Sequence, residues 1–231
     1  MGKYNAEKLG EVCKNYVKEH GKDYKNEYAE FTIRKSNGQK RTIYAPPPKL
    51  RELQKAISFL LDDLYRPRPC VHGFIGGRST VTNARQHVNK HSILKIDLKD
   101  FFESITKNRI KGLLSHLSLE QDLIEAITTI CTVNDILPTG SPASPVLANM
   151  ICYSMDNRLM ELSNSCKIAY TRYSDDMTFS GYEKHFFNSF LTADDNGSYA
   201  VSKKLKDIIK SNGFFINEEK TGFLEKINLI T

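Results

Sequence analysis

With 231 residues, 40% of them hydrophobic and 26% charged, the chain has the length for one substantial domain or two small ones, and its composition excludes a disordered polymer. Its 33 Lys and Arg against 27 Asp and Glu give a net charge of +6, an excess that suits a polyanionic partner without demanding one. Five widely spaced cysteines without a C-x-x-C pair indicate neither a disulfide framework nor a zinc site, and no apolar run approaches the ~20 residues of a membrane span, so the expectation is a soluble, cytoplasmic protein.

In chain order, EFTIRKSNGQKRTIYAP offers two β-prone arms around Asn37-Gly38, which predicts a hairpin over residues 30–45. Positive charge is concentrated here: Arg34, Lys35, Lys40, Arg41, Lys49, Arg51 and Lys55 face a single acid, Glu52. Pro46 to Pro48 end the hairpin. Leu50, Leu53, Ile57, Leu60 and Leu64 then recur at helical spacing, predicting a helix that buries this stripe and exposes Lys49, Arg51 and Lys55. SILKID, residues 92–97, is short and apolar and reads as a buried strand ending in Asp97. Ser118 with Gln121 resembles a capping box ahead of an amphipathic helix through Leu119, Leu123, Ile124, Ile127 and Ile130. One further helix is expected after Pro142, carrying Val146, Leu147, Met150, Ile151 and Met155. KIAYTRY and MTFSGY flank Ser174-Asp175-Asp176 as the arms of a second hairpin, and Val201, Leu205, Ile208 and Ile209 mark a last helix with Gly213 at its C-terminal cap. This mixed order argues α+β rather than a doubly wound parallel sheet.

Asp175 and Asp176 repel each other, and burying either would raise its pKa unless a cation stands nearby. An exposed polar turn is the ordinary explanation of such a pair, and Asp62-Asp63 in a helix and Asp194-Asp195 in a polar loop receive no role. Asp97 is different, because a charge at the end of a buried strand needs a partner. If that strand lies beside the 168–181 hairpin, three carboxylates converge, and such a cluster can hold two divalent ions about 3.5 to 4 Å apart for phosphoryl or nucleotidyl transfer. LPTGSPASP, residues 137–145, is either a Pro-marked helix start or a Gly turn whose free N–H groups suit phosphate.

In order and spacing, IDLKDFF (96–102), LPTGSPASPVLAN (137–149), YSDD (173–176) and INEEKTGF (216–223) resemble motifs A to D of the reverse transcriptase family, in its bacterial retron and group II intron-like branch. Upstream, RTIYAPPPKLRELQKAI and HGFIGGRSTVTNARQHVNK resemble the fingers segments that precede motif A there, with Asn83, Ala84 and His87 as an N-A-x-x-H signature. The resemblance covers about residues 28–225.

What it implies is an α+β right-hand polymerase, with an antiparallel palm sheet packed on helices: residues 1–92 as fingers, 93–104 as palm, 105–140 as fingers helices and 141–231 as palm. The implied reaction is RNA-directed DNA synthesis with two Mg²⁺ ions, or Mn²⁺ in their place. The partners would be a structured noncoding RNA as template and, in retrons, as primer, together with deoxynucleotides, an RNA–DNA product, and an effector protein of a phage-defence system. By the same resemblance, Asp97 and Asp175 bind both ions, the Leu98 carbonyl helps one, and Asp176 supports the site, while Lys220 relieves or protonates the leaving pyrophosphate. Lys35, Arg41, Asp100, Phe101, Phe102, Thr139 and Gly140 would bind the nucleotide, with Phe102 as the steric gate against a 2′-hydroxyl. Arg78, Asn83 and His87 would contact RNA. Two departures stand out. Thr139 occupies a position where many members have Gln, and the sequence ends at KINLIT, before the family's thumb, so a truncated chain is expected. The rival readings are an RNA-binding polymerase-like module without turnover, and an RNA-dependent RNA polymerase, which Phe102 disfavours.

Overall fold

A computed structural model describes residues 6–21, 28–34, 40–182, 186, 189–193 and 199–225. The first half holds α1 (Ala6–His20), β1 (Ala29–Arg34), β2 (Lys40–Ala45), α2 (Pro48–Leu64), α3 (Thr80–Arg85), β3 (Ser92–Asp97), α4 (Lys107–Ser115) and α5 (Gln121–Ile130). After these come α6 (Ser144–Ile151), α7 (Tyr153–Ser165), β4 (Ala169–Tyr173), β5 (Asp176–Gly181), β6 (Leu191–Ala193), β7 (Tyr199–Val201), α8 (Lys203–Ser211), a 3-10 turn (Glu218–Lys220) and β8 (Gly222–Glu225). No described helix is long and apolar enough to cross a membrane.

The chain forms two compact units, one from Met1–Arg66 and Phe102–Ile151, the other from Pro67–Phe101 and Cys152–Thr231. Their limits differ from those the sequence suggested at residues 92 and 140. The segment after Pro67 joins the sheet unit because Val71 bridges Arg172 in parallel, extending the edge of β4, while α6 belongs to the helical unit.

In the helical unit β1 and β2 pair antiparallel from Ala29↔Ala45 to Arg34↔Lys40, and the Asn37-Gly38 turn lies outside the described residues. Proline is tolerated at the start of α2 because the first N–H groups of a helix have no partner within it. That helix buries Leu50, Leu53, Gln54, Ile57 and Leu61 and exposes Lys49, Arg51 and Lys55. The expected stripe is corrected at its end: it continues through Leu61, one helical step of four after Ile57, leaving Leu60 half-buried and Leu64 exposed. The capping box at Ser118 does not form. Glu120 is the N-cap of α5 without a side-chain bond, and Ser118 sits in the left-handed region at φ 54°, so α5 is held by burial of Leu123, Ile124, Ile127 and Ile130.

In the sheet unit the strand order is β4-β5-β3-β8, antiparallel throughout, with β3 between two neighbours, as a short apolar strand requires. The single helix expected after Pro142 is two. It divides at Cys152, because α6 buries its residues in the helical unit and α7 buries Met155, Asp156, Leu159, Leu162 and Ser163 in the sheet unit. Val201 belongs to β7 rather than to the last helix, which starts at a Ser202 cap whose hydroxyl accepts the Leu205 N–H at 3.2 Å. Gly213, at φ 75°, ends α8: its N–H donates to the Lys210 carbonyl at 2.9 Å and the Phe214 N–H to Ile209 at 3.2 Å, the paired bonds of a Schellman cap.

Candidate active site

Antiparallel pairing of β3 with β5 sets Asp97 opposite Asp176, and the Leu98 N–H donates to the Asp175 carbonyl at 3.0 Å. Segments far apart in sequence therefore deliver three carboxylates to the ends of neighbouring strands. Asp176 records their proximity: desolvation raises its pKa, the charges of Asp175 and Asp97 raise it further, and Lys220 and Lys95 oppose them. Asp97 is 7% exposed and both its carboxylate oxygens are engaged. The Asn217 amide donates to Oδ1 at 2.9 Å and the Lys220 ammonium to Oδ2 at 3.0 Å. Backbone bonds hold the same place, from the Asn217 N–H to the Asp97 carbonyl and from the Lys99 N–H to the Phe215 carbonyl, both at 2.8 Å.

The acidic turn is anchored from within the sheet unit. Ser174, its first residue, has φ 61°, a sign found in tight hairpin turns but unfavourable for a residue with a Cβ. Arg172, fully buried on β4, grips it by donating Nη1–H to the Ser174 carbonyl at 3.0 Å. The rest of the guanidinium forks onto Asp156 of α7, Nε to Oδ1 at 2.9 Å and Nη2 to Oδ2 at 2.7 Å, and the Tyr170 hydroxyl adds a bond to Oδ1 at 2.9 Å. Gly73 lies against the same turn, where a Cβ would come within 2.4 Å of the Ser174 nitrogen, so only a hydrogen fits. Sequence reasoning named none of Asn217, Arg172, Asp156 or Gly73 as site residues. The signals available were an arginine inside a β-prone arm, an aspartate on the apolar face of a helix, and an asparagine three residues before Lys220.

The helical unit brings other expected residues together. The Thr139 carbonyl accepts the Tyr44 N–H at 2.8 Å, seating the LPTG turn on β2, the strand that carries half-buried Arg41. Gly140, at φ 115°, is required there, since a Cβ would meet the Tyr44 carbonyl at 2.6 Å. Phe102 is half-buried in this unit, and Lys35 lies outside the described residues.

Two side chains expected at the site, those of Phe101 and His87, are interior instead. Phe101 is a core residue, 4% exposed and stacked on Phe214 with ring centroids 5.5 Å apart, so its ring is not available to a nucleotide. His87 is buried between two hydroxyls, Nδ1 to Ser180 at 2.6 Å and Nε2 to Thr171 at 2.7 Å. Burial, then His72, Lys90 and Lys95, pull its pKa down to about 4, so a neutral ring bridges β4 and β5 rather than touching RNA. Arg78 spends one nitrogen clasping its own loop, donating to the carbonyls of Arg68 at 2.7 Å, Pro69 at 3.4 Å and Val71. Asn83 is half-buried, and its Oδ1 accepts no hydrogen bond from the described residues. Asp100 is exposed at φ 45°.

Among the described residues, no three His, Cys, Asp or Glu side chains form a metal cage by themselves. The donor chemistry nevertheless fits a hard divalent ion, which needs only one or two carboxylates when substrate phosphates complete its shell. A cation already stands at Asp97, in the form of the Lys220 ammonium.

Residues 33–230 match the family described as Reverse transcriptase (RNA-dependent DNA polymerase). Retron Mx162 reverse transcriptase of Myxococcus xanthus is 31% identical over 222 residues, 88% of this chain and 46% of the relative. Retron Ec86 reverse transcriptase of Escherichia coli is 35% identical over 196 residues, 84% of this chain and 58% of the relative. The chain thus spans about half the length of the curated relatives it matches. Among solved structures, telomerase from Candida albicans in complex with a fragment of telomeric RNA aligns with a TM-score of 0.58 at 12% identity, over 96% of this chain and 48% of that one. Apo telomerase from Candida tropicalis, truncated from its C-terminal domain, aligns with 0.54 at 12% identity, over 96% and 56%. The likeness at this identity is one of fold, an α+β polymerase fold.

Proposed function

The chain belongs to the reverse transcriptase family, and on that premise we propose that it is an RNA-directed DNA polymerase, which copies a structured noncoding RNA into DNA from deoxynucleoside triphosphates. The observation that carries this reading is the strand register that sets Asp97 against Asp176, with Asp175 in the adjoining turn. In this reading the sheet unit is the palm and the helical unit the fingers. Dependence on a divalent ion follows from the family, and we assign Mg²⁺, with Asp97, Asp175 and the Leu98 carbonyl holding it and Asp176 in support. The chemistry such ions supply when bound is activation of the attacking hydroxyl and neutralisation of the leaving phosphate oxygens.

The chain's own groups account for the rest. Arg41 meets the negative charge of the incoming triphosphate, and the Thr139–Gly140 turn lets backbone approach the nucleotide. Phe102 fills the space a 2′-hydroxyl would need. Lys220 places positive charge on the departing pyrophosphate. The retron relatives support a retron system as the setting, and we assign an effector protein to it as a further part of the proposal.

The test is extension of a primer on an RNA template by the full chain with Mg²⁺. Deoxynucleotide incorporation is expected. Binding without extension would leave an RNA-binding module, and incorporation of ribonucleotides alone would make the enzyme an RNA polymerase. Phe102→Ala should lower discrimination against ribonucleotides by about 10- to 100-fold, the scale on which a filled pocket rejects an added group. Unchanged sugar selection would remove Phe102 from the gate.

A further inference from the structure

We propose that Lys220 is the resident counter-ion of Asp97: without nucleotide its ammonium occupies the place of a divalent cation, and it leaves that carboxylate when the metal and triphosphate arrive. The inference rests on the preceding reading that Asp97 holds a divalent ion, and it adds a step before the chemistry.

A carboxylate 7% exposed at the end of a buried strand, opposite a second acid, is costly without a cation. The two groups that satisfy it differ in kind. Asn217 is a fixed partner: its side-chain amide holds Oδ1 at 2.9 Å while its backbone N–H holds the Asp97 carbonyl at 2.8 Å, so its position is fixed twice and it carries no charge to repel an incoming ion. Lys220 is an exchangeable partner. It ends a 3-10 turn of three residues, its side chain is 42% exposed, and one bond to Oδ2 at 3.0 Å holds it. A flexible four-carbon stem with its head partly in solvent can swing away without unfolding anything. The Asp97 carboxylate would stay oriented by Asn217 after Lys220 departs.

Charge makes the two states alternatives. An ammonium and a divalent ion on one carboxylate repel, so lysine resists metal in the empty site. A bound triphosphate reverses the balance by offering the ammonium another anion. Glu218 of the same turn is engaged elsewhere, by Lys206 at 2.9 Å, and Lys220 pairs with Asp97 instead. Its charge also reaches Asp176, where it opposes the repulsion from Asp175 and Asp97. Lys220 therefore serves two of the three acids while the site is empty, Asp97 by direct contact and Asp176 through its charge.

The measurement is Mn²⁺ affinity of the nucleotide-free full chain, followed by the paramagnetic resonance signal of unbound Mn²⁺. Lys220→Ala and Lys220→Gln should each bind Mn²⁺ at least about tenfold tighter than the parent, as expected when a like charge beside the ion is removed. Lys220→Arg should stay near the parent, and the gain should vanish in an Asp97→Asn background. Equal or weaker Mn²⁺ binding in both neutral variants would overturn the counter-ion role, as would a gain that survives Asp97→Asn. Primer extension is scored separately. Tighter Mn²⁺ binding by the Lys220 variants of a parent chain that itself extends no primer would keep the counter-ion and sink the polymerase reading; extension by the parent with unchanged Mn²⁺ affinity in the variants would do the reverse.

Discussion

Asp175→Ala is expected to abolish deoxynucleotide incorporation, by three orders of magnitude or more, about 4 kcal/mol of barrier, while the melting temperature stays at or above that of the parent. The loss follows from removing one of two carboxylates proposed to hold the ions. Retention of the fold follows from the geometry. What Asp175 gives to the sheet is its backbone carbonyl, which accepts the Leu98 N–H at 3.0 Å and survives the substitution. Its charge, in contrast, is a burden on the unliganded site, since it is among the causes that raise the Asp176 pKa. Primer extension and thermal melts of the same preparation check both halves. Activity within tenfold of the parent would move the chemistry away from this turn, and a large fall in melting temperature would show that the side chain is structural.

Such a prediction could be framed from the sequence because each part of the site has a local signature. An apolar run ending in Asp97 and β-prone arms around Ser174-Asp175-Asp176 read as strands from their own residues, and antiparallel pairing then brings the acids together. What stayed hidden is what depends on side chains meeting through space. Nothing near Asp156 announces that Arg172 will fork onto it, and nothing near Asn217 announces its hold on Asp97. His87 was misread because an N-A-x-x-H signature has no depth, and only the Ser180 and Thr171 hydroxyls on its two nitrogens show that it is interior. Phe101 and Phe102 are adjacent and chemically identical, and packing on Phe214 separates core from candidate gate. Ser118 failed as a cap for a conformational reason: a capping residue needs extended backbone, and at φ 54° its hydroxyl is not placed to accept from the helix. On α2 the spacing rule allowed a step of three or four after Ile57, and packing selected Leu61.

The second large effect concerns the buried pair beneath the turn. With side chains 0% and 1% exposed, Arg172 and Asp156 are each tolerable only in the presence of the other. Asp156→Ala leaves a guanidinium in the interior without its carboxylate, which should cost about 3–5 kcal/mol of stability and about 10 °C in melting temperature. It also removes the acceptor of the Tyr170 hydroxyl. Incorporation should fall too, and the harder question is whether it falls because the chain unfolds or because the turn loosens. The double change Asp156→Leu with Arg172→Met separates these. Replacing both members of a buried pair with apolar residues of similar volume is often neutral or stabilising, so most of the lost stability should return. The bond from Arg172 Nη1 to the Ser174 carbonyl cannot return, and Ser174 would be free to relax from its strained φ of 61°, taking Asp175 with it. The expected result is a protein with near-parent stability and depressed incorporation, measured by urea unfolding beside primer extension. If the double variant recovers both, Arg172 serves folding alone, and the turn holds its geometry through the register of β4 and β5 and the close approach of Gly73.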